Sequence, residues 1–411
     1  MKKALLVSLV LLLTLTSAYA TDKRVNALGN NAFMLPGDDA AIGLFPQRIN
    51  DMNLVYFRDI HLASPDYLLV VGDPGKAWGF YGGSTEKDDY INVMRSLGSK
   101  AAVRLGVRFG IENEKQLDDD KESSPNVDEE NLSKTNILVD FEYGMDMGDM
   151  EVSTIVTFGR TPAMIGMIGE SGSYTGDFNA MGTKSSAEGS AGRTSFGVTA
   201  KARAPRGMFI FNNSYATFGM SYQGGTESFS STSGGTTTTT TDEKDSFFSM
   251  GWSYGWFNNS YLADGKVLLV YGLGGIMSFN RSTDETLITG SETKDTSMSF
   301  GIVAPVFNLG LEAQLKYAAL RFGMSRQLTT LGYTSTTNTY VSGTVDDEDT
   351  YSKFTIGANG LYAYNAGMGF DYGPLQIDIL VNNNIWIGGP QMIFDGTLGA
   401  IGICADLVYT F

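Results

Sequence analysis

Charged side chains recur on one parity of several strand-like stretches, and they are the residues of this sequence best suited to contact a polar solute. Between Val103 and Ile111, for example, apolar residues alternate with Arg104, Gly106, Arg108 and Gly110. A β-strand points successive side chains to opposite faces, so such a stretch would have one apolar and one charged face. A charge that faces lipid costs ~2–4 kcal/mol at mid-membrane, which favours placing the charged face toward an interior. The candidate interior residues are Arg104, Arg108, Asp140, Glu142, Glu151, Glu312, Arg321, Asp371, Asp378 and Asp406. A wall of this mixed charge would suit polar solutes, with a mild preference for cations.

Catalytic and metal chemistry find little support in the composition. His61 is the single histidine and Cys404 the single cysteine of 411 residues, which leaves no His–Cys zinc set and no intrachain disulfide. His61 lies at a predicted loop tip, where we expect a solvated side chain rather than a general base. We therefore predict no catalytic residues, no metal site, no cofactor and no enzymatic activity. The formal net charge of −16 also argues against nucleic-acid binding.

The first twenty residues read as an export signal. Lys2 and Lys3 precede an apolar run, and Ala18-Tyr19-Ala20 is a small-x-small cleavage site. Thr21 follows the site where a lipoprotein would have Cys. We therefore divide the chain into a signal peptide (1–20), an N-terminal periplasmic or plug segment (21–52) and a membrane domain (53–411).

The rest of the chain predicts an all-β protein, an antiparallel up-and-down transmembrane barrel. Gly is abundant at 50 residues, aromatics reach 12% and Pro is scarce at 10, as suits closed barrels. The last strand alternates an apolar face that ends in Phe411. Twelve strands are expected between residues 100 and 411, and four shorter candidates lie at 54–60, 66–72, 76–82 and 90–97. Counting all four gives 16 strands, and dropping two gives 14.

Two hairpins can be placed in register from their sequences. A turn at Lys316-Tyr317 pairs Leu311 with Phe322 and Glu312 with Arg321, and a turn at Gly373-Pro374 pairs Phe370 with Ile377. Counted back from a periplasmic C-terminus, long connections at 113–132, 161–191, 224–244, 281–294, 328–350 and 383–397 fall on the outer side. Short connections at 146–148, 204–206, 259–264, 316–317 and 373–374 fall on the inner side, which is the asymmetry of outer-membrane barrels.

One short stretch resembles a known family. Asp38-Asp39-Ala40-Ala41-Ile42, followed by Pro46 and Ile49, resembles the acidic-x-x-Ile…Pro stretch near the mature N-terminus of FadL-like, long-chain fatty-acid transporter barrels. The hairpin sequences Leu309–Ala313 and Leu320–Gly323 are similar to those of such barrels as well. The resemblance implies a 14-stranded barrel whose lumen is plugged by the N-terminal segment. The usual Asn-Pro-Ala of the family is replaced here by Phe45-Pro46-Gln47, and an ordinary N-terminal extension is the alternative.

Two predicted outer loops stand out. The acidic clusters at 112–130 and 346–349 lack the ligand spacing of a calcium loop, so we read them as solvated, with cation bridging to lipid head groups as the alternative. The loop 161–191 opens with an apolar stretch that either folds into the barrel as a constriction or binding loop, or packs over its rim. The candidates are Met164, Ile165, Met167 and Ile168.

Three functions follow from this architecture. The first is a porin-like channel or transporter for small solutes, the second a FadL-like carrier of hydrophobic compounds, and the third a barrel that serves as a structural, adhesion or secretion-accessory protein. The expected location is the outer membrane of a Gram-negative-type bacterium. Expected partners are outer-membrane lipid and lipopolysaccharide, the barrel-assembly machinery through the strand that ends in Phe411, and an unidentified solute. Assembly into an oligomer is compatible with the sequence.

Overall fold

A computed structural model describes residues 22–29, 31–35, 39–58, 66–84, 89–117, 129–159, 172–180, 183–233, 236–288, 291–342, 345–357, 362–381 and 403–411. The predicted signal peptide, His61, the 383–397 connection and the apolar loop candidates Met164, Ile165, Met167 and Ile168 lie outside these residues. No helix among the described residues is long and apolar enough to cross a bilayer.

The described residues form nineteen strands in one antiparallel sheet. They are β1 (Leu54–Arg58), β2 (Asp66–Val71), β3 (Trp78–Ser84), β4 (Asp89–Ser96), β5 (Ala101–Leu117), β6 (Glu129–Met147), β7 (Met150–Gly159), β8 (Gly172–Ala180), β9 (Thr183–Ala204), β10 (Asn213–Ser233), β11 (Thr236–Leu262), β12 (Val267–Ile288), β13 (Ser291–Gln314), β14 (Ala318–Gln327), β15 (Thr330–Ser342), β16 (Val345–Gly357), β17 (Tyr362–Tyr372), β18 (Leu375–Val381) and β19 (Ile403–Thr410).

Sixteen of these strands close into a barrel. The ring runs from β1 to β7, passes directly from β7 to β9, continues to β14, passes to β17 and ends at β19. The C-terminal strand then pairs with β1, with Thr410 opposite Leu54, and this pairing closes the ring. The prediction of sixteen strands rather than fourteen is confirmed, and β1 to β4 are the four short candidates. β8, β15 and β16 lie outside the ring and extend its wall.

Both hairpin registers predicted from the sequence are confirmed. Glu312 pairs with Arg321 and Leu311 with Phe322 across β13 and β14, while Phe370 pairs with Ile377 across β17 and β18. Lys-Tyr and Gly-Pro are not favoured turn pairs, so the matching of faces sets these registers. Gly373 adopts φ 76°, a left-handed conformation that residues with a side chain rarely take.

The outward face of the wall is apolar over a defined height. On β12 the outward residues from Leu269 to Phe279 are Leu269, Tyr271, Leu273, Gly275, Met277 and Phe279, a length that matches the roughly 9–11 residues a membrane-crossing strand needs. Phe279 pairs with Phe300, Phe300 with Tyr333, and Tyr333 with Phe354, so aromatic side chains form a row across four strands. We call it the aromatic row. Charged residues such as Arg281, Glu285 and Lys294 first join the outward face beyond this row, which marks one boundary of the lipid-facing surface.

We call the barrel end with the short connections the turn end, and the opposite end the hairpin end. Several connections predicted as long outer loops are wrong in extent, including 161–191, where β8 pairs with β9 as far as Ala180–Thr183. At 224–244, 281–294 and 328–350 the strands continue almost to the tip, so β10 pairs with β11 as far as Ser233–Thr236, and β15 with β16 as far as Ser342–Val345. Beyond the lipid both strand faces meet water, so the apolar alternation disappears while backbone pairing continues. On the turn end, the connection predicted at 259–264 lies at 263–266, and the one predicted at 204–206 lies at 205–212.

The N-terminal segment lies inside the ring. Helix α1 (Asp22–Ala27) packs against β14, β17, β18 and β19, whereas the 3₁₀ segment Pro46–Asn50 packs against β4, β5 and β6. Between them, the 3₁₀ segment Ala32–Met34 contacts β11 and β12, and Asp39–Gly43 forms a further 3₁₀ segment. These contacts with strands on several sides of the ring place this segment in the lumen. We call the described residues of 22–52 the plug.

Candidate functional site

The first anchor of the plug is a bidentate ion pair to the barrel wall. Arg24 of α1 donates from Nε to Glu312 Oε2 (2.7 Å) and from Nη2 to Glu312 Oε1 (3.0 Å). Arg321, directly opposite Glu312 in the β13–β14 hairpin, donates to the same carboxylate at 2.6 Å and also to Asp378. The register of the hairpin therefore places Glu312 beside Arg321, where Arg24 of the plug also binds it. Arg24 and Glu312 are 288 residues apart in the sequence.

This anchor continues into the C-terminal strands and balances its charge. The amide of Lys23 donates to Asp406 Oδ2 (3.2 Å), and the Tyr56 hydroxyl lies 2.8 Å from the same oxygen. Three cationic and three anionic side chains are buried here, each less than 9% exposed; they are Lys23, Arg24, Arg321, Glu312, Asp378 and Asp406. Buried ions need partners, because the removal of one partner leaves a charge in a medium that solvates it poorly.

The second anchor is Arg48, at the other end of the plug. Its guanidinium contacts Glu151 (2.6 Å), Asp146 (2.9 Å) and Asp51 (2.9 Å), while Arg203 of β9 also donates to Glu151. Burial alone would lower the pKa of Arg48, but the hydrogen bond to Asp51 and the nearby carboxylates outweigh it and raise that pKa above its ordinary value.

Between these anchors the plug backbone is held by wall side chains. Glu142 is fully buried beside Arg104 (Nη2 at 2.9 Å) and Lys201 (Nζ at 3.4 Å). Ser153 Oγ lies 2.9 Å from both Glu142 Oε1 and the carbonyl oxygen of Leu44 in the plug. The same wall side chains thus form hydrogen bonds both to backbone groups of the plug and to carboxylates of the wall. The plug–wall interface is therefore rich in polar contacts.

Most of the ten predicted interior residues contact other side chains rather than open space. Seven belong to the buried networks that bind or border the plug, and they are Arg104, Glu142, Glu151, Glu312, Arg321, Asp378 and Asp406. Asp371 borders a cavity of about 410 Å³ at the turn end, which is also lined by Arg24, Lys266 and Lys316. Arg108 and Asp140 lie above the plug, toward the hairpin end.

Besides Lys23, sequence reasoning missed four cations of the site. Lys201 and Arg203 share one parity of β9, and Phe196 and Val198 lie on the other, so the period-2 pattern that found Arg104 and Arg108 could have found them. Arg24 and Arg48 lie in a segment with no strand period. Their only signal was the surplus of inward carboxylates that they neutralise.

Above the plug, the two sides of the lumen differ in chemistry. On β10 to β13 many inward side chains carry hydroxyl or amide groups, and hydrogen bonds join Ser249 to Asn280 (2.8 Å), Asn280 to Ser299 (3.4 Å) and Thr217 to Ser253 (2.7 Å). On β1 to β5 the inward side chains include the large groups of Arg58, Tyr81, Tyr90 and Arg108. A polar solute in this part of the lumen would meet hydroxyl groups on one side and guanidinium and phenol groups on the other.

Comparison with known proteins gives no family assignment. No family model and no curated protein matches the chain. Among solved structures, the ferric yersiniabactin uptake receptor FyuA from Yersinia pestis matches at 7% identity, over 88% of this chain and 80% of that one, with a TM-score of 0.32. The alcaligin outer-membrane receptor FauA from Bordetella pertussis matches at 8% identity, over 81% and 68%, with a TM-score of 0.31. The copper transporter OprC matches at 9% identity, over 88% and 80%, with a TM-score of 0.24. Superpositions this loose carry no argument about function, and the sixteen-strand ring itself establishes the fold.

Proposed function

We propose that this protein is an outer-membrane transporter whose lumen is closed by its own N-terminal plug and admits small polar solutes when the plug moves. The observation that carries the proposal is the polar character of the plug–wall interface. Replacing buried ion pairs by apolar residues often leaves a protein as stable or more stable, so a permanent core gains little from them. A hydrogen-bonded and charge-paired interface can instead exchange its partners for water when the plug moves.

The lumen above the plug supports the same proposal. The hydroxyl and amide groups on β10 to β13 offer exchangeable hydrogen bonds along the wall, which is the lining that polar solutes need. The proposed location is the outer membrane of a Gram-negative-type bacterium, reached through cleavage of residues 1–20. Lipopolysaccharide and the barrel-assembly machinery are the proposed partners, the latter through β19 and the exposed ring of Phe411.

Permeability of liposomes tests this function. The double variant Arg24→Met/Glu312→Gln removes both charges of the first anchor and leaves Arg321 paired with Asp378, and we expect it to speed the passage of small sugars. Its matched control, Lys244→Met/Glu285→Gln, removes an ion pair from the outward face at the hairpin end and should leave the rate unchanged. A variant without residues 22–52 that forms a heat-modifiable barrel, yet is no more permeable than the intact protein, would refute a plug-gated passage.

A FadL-like carrier of hydrophobic compounds is the second candidate, because the plug also carries apolar residues that pack against the wall. Val25, Leu28, Met34 and Leu35 form one buried cluster with β11 and β12, and Ile42 and Ile49 belong to another. The sixteen-strand ring departs from the fourteen strands that the resemblance implied. Uptake of long-chain fatty acids that exceeds uptake of sugars, and that depends on the plug, would favour this candidate. A non-transport scaffold would show neither uptake.

A further inference from the structure

One inward-facing cation stands apart from the buried networks. Arg108 on β5 is half-buried, faces the lumen above the plug, and has its guanidinium carbon 5.8 Å from the centre of the Tyr90 ring. Within the described ranges, no carboxylate oxygen lies within 4.0 Å of its guanidinium nitrogens. The inward arginines Arg58, Arg104, Arg203 and Arg321 each have one, with partners Asp66, Glu142, Glu151 and Glu312.

Arg104 is an arginine of the same strand that forms an ion pair within the protein. It lies on the same strand and the same face, two inward positions closer to the turn end, where Glu142 opposes it and contacts it at 2.9 Å. Arg108 is instead opposed by Leu138, which offers no charge. The chain has more carboxylates than basic groups, with a net charge of −16, yet none of them opposes Arg108 across the strand pair. Because leucine cannot pair with a guanidinium, the donors of Arg108 are available to a ligand.

The surroundings of Arg108 do not neutralise it. Asp140 lies diagonally across from it, but Asp140 Oδ1 accepts a hydrogen bond from Thr157 (2.6 Å). On the other side Arg58 pairs with Asp66 at 3.7 Å, and Arg58 lies 5.6 Å from the ring centre of Tyr81. Among the described side chains of this part of the wall, four are cationic (Arg58, Arg104, Arg108 and Lys201) and three are anionic (Asp66, Asp140 and Glu142).

The Tyr90 ring lies beside the guanidinium of Arg108, with its centre 5.8 Å from the guanidinium carbon. The Tyr90 hydroxyl lies 3.3 Å from that of Tyr81, which donates to Asp66 (3.4 Å), so these hydroxyl groups are already hydrogen-bonded. A guanidinium presents five donors in a fixed plane that matches a carboxylate in bidentate fashion. This geometry favours a planar carboxylate over a neutral group of the same shape.

We infer that Arg108, together with Tyr90, forms a lumenal binding site for a small carboxylate-bearing solute, immediately above the plug. The inference rests on the proposed function, because a solute reaches this site only through the lumen. It deepens that function by naming a substrate class, and it replaces the mild cation preference expected from the sequence. The carboxylates behind that expectation are largely occupied by arginine and lysine partners.

The test uses the mature full-length protein in detergent, with 4-fluorobenzoate as the probe and 4-fluorobenzamide as its neutral isostere, both followed by fluorine NMR. We expect the carboxylate to bind at least about tenfold more tightly than the amide, the difference that one charge-assisted bidentate contact supplies. Arg108→Gln should remove this preference, and Arg108→Lys should keep it at lower affinity. Arg95→Gln is the matched control, since Arg95 also lies over an aromatic ring (Trp78, 4.5 Å) but points outward near the turn end.

Equal binding of the two probes by the intact protein would overturn the inference, and so would a preference that survives Arg108→Gln. Migration on a detergent gel before and after heating confirms that each variant is folded. If Arg108→Gln does not fold, the intact protein and Arg108→Lys still decide the question. Failure here leaves the plug-dependent permeability of liposomes untouched, so the two proposals fail separately.

Discussion

The two ends of this barrel differ in the environment of their charged side chains, which are buried at the turn end and exposed at the hairpin end. At the turn end the plug occupies the lumen, and charged side chains are buried in ion-paired networks around Glu312, Glu151 and Glu142. At the hairpin end, paired strands continue beyond the aromatic row, and the charged pairs there lie on exposed surfaces. An ion pair at the turn end can be broken only at the cost of a buried charge, whereas one at the hairpin end exchanges with water. In the proposed function, the turn end therefore decides whether the lumen is open or closed, whereas the hairpin end forms a solvent-exposed surface.

Removal of one buried partner at the turn end should give the largest effect. Arg321→Met leaves Glu312 with only Arg24 and removes the guanidinium next to Asp378. We expect a loss of about 3–5 kcal/mol in the free energy of unfolding, typical of a broken buried network. Urea unfolding followed by the heat-modifiable gel shift measures this loss. A change no larger than that of an exposed pair would mean that water reaches this network freely.

A charge on the lipid-facing surface should produce the next largest effect, and one that depends on depth. Leu273 lies on the outward face of β12 midway between the turn end and the aromatic row, whereas Phe279 lies in the row itself. Leu273→Lys should cost ~2–4 kcal/mol and Phe279→Lys only ~0–1 kcal/mol beyond the lost ring contacts, because a lysine near the boundary reaches water. Reversible unfolding from liposomes measures both. If the two lysine substitutions cost the same free energy, the boundary of the lipid-facing surface does not lie at the aromatic row.

Crowding of the plug without any change of charge should have a smaller effect. A methyl group on Gly323 would lie 2.3 Å from the Gly29 nitrogen and 2.4 Å from the Ala27 carbonyl oxygen, both backbone atoms of the plug. Gly323→Ala should therefore displace α1 and cost about 1–3 kcal/mol, as overpacking of a filled space does. Gly219→Ala on β10 is the control, since its methyl group would meet Thr199 at an ordinary 3.5 Å. Protease cleavage of the plug should rise only in the first variant, and equal cleavage in both would contradict this packing.

The sequence predicted those features of the structure that depend on contact with lipid, namely the strand registers in the membrane. The Glu312–Arg321 and Phe370–Ile377 registers could be found because lipid requires one apolar face on each strand, and a slip of one residue would reverse it. The hairpin extensions could not, because strand pairing in water leaves no alternation to read in a segment such as the threonine run at 236–241. The anchors Arg24 and Arg48 were hidden for another reason. Their partners lie 288 and about 100 residues away, and only the folded ring brings them together.

The smallest effect is expected from the charged ladder on the outward face of the hairpin end. Glu285 on β12 lies between Lys244 (3.4 Å) and Lys294 (3.6 Å), and both lysines are about half exposed or more. Glu285→Gln should cost no more than about 0.2–1 kcal/mol, since exposed pairs are screened by water and must order two long side chains. The loss should shrink further in 1 M salt, where the screening length falls to about 3 Å. Urea unfolding at low and high salt, compared with Arg321→Met under the same conditions, separates the two ends. If the Glu285 variant lost as much stability as the Arg321 variant, and kept that loss in salt, the distinction between a buried turn end and a solvated hairpin end would be wrong.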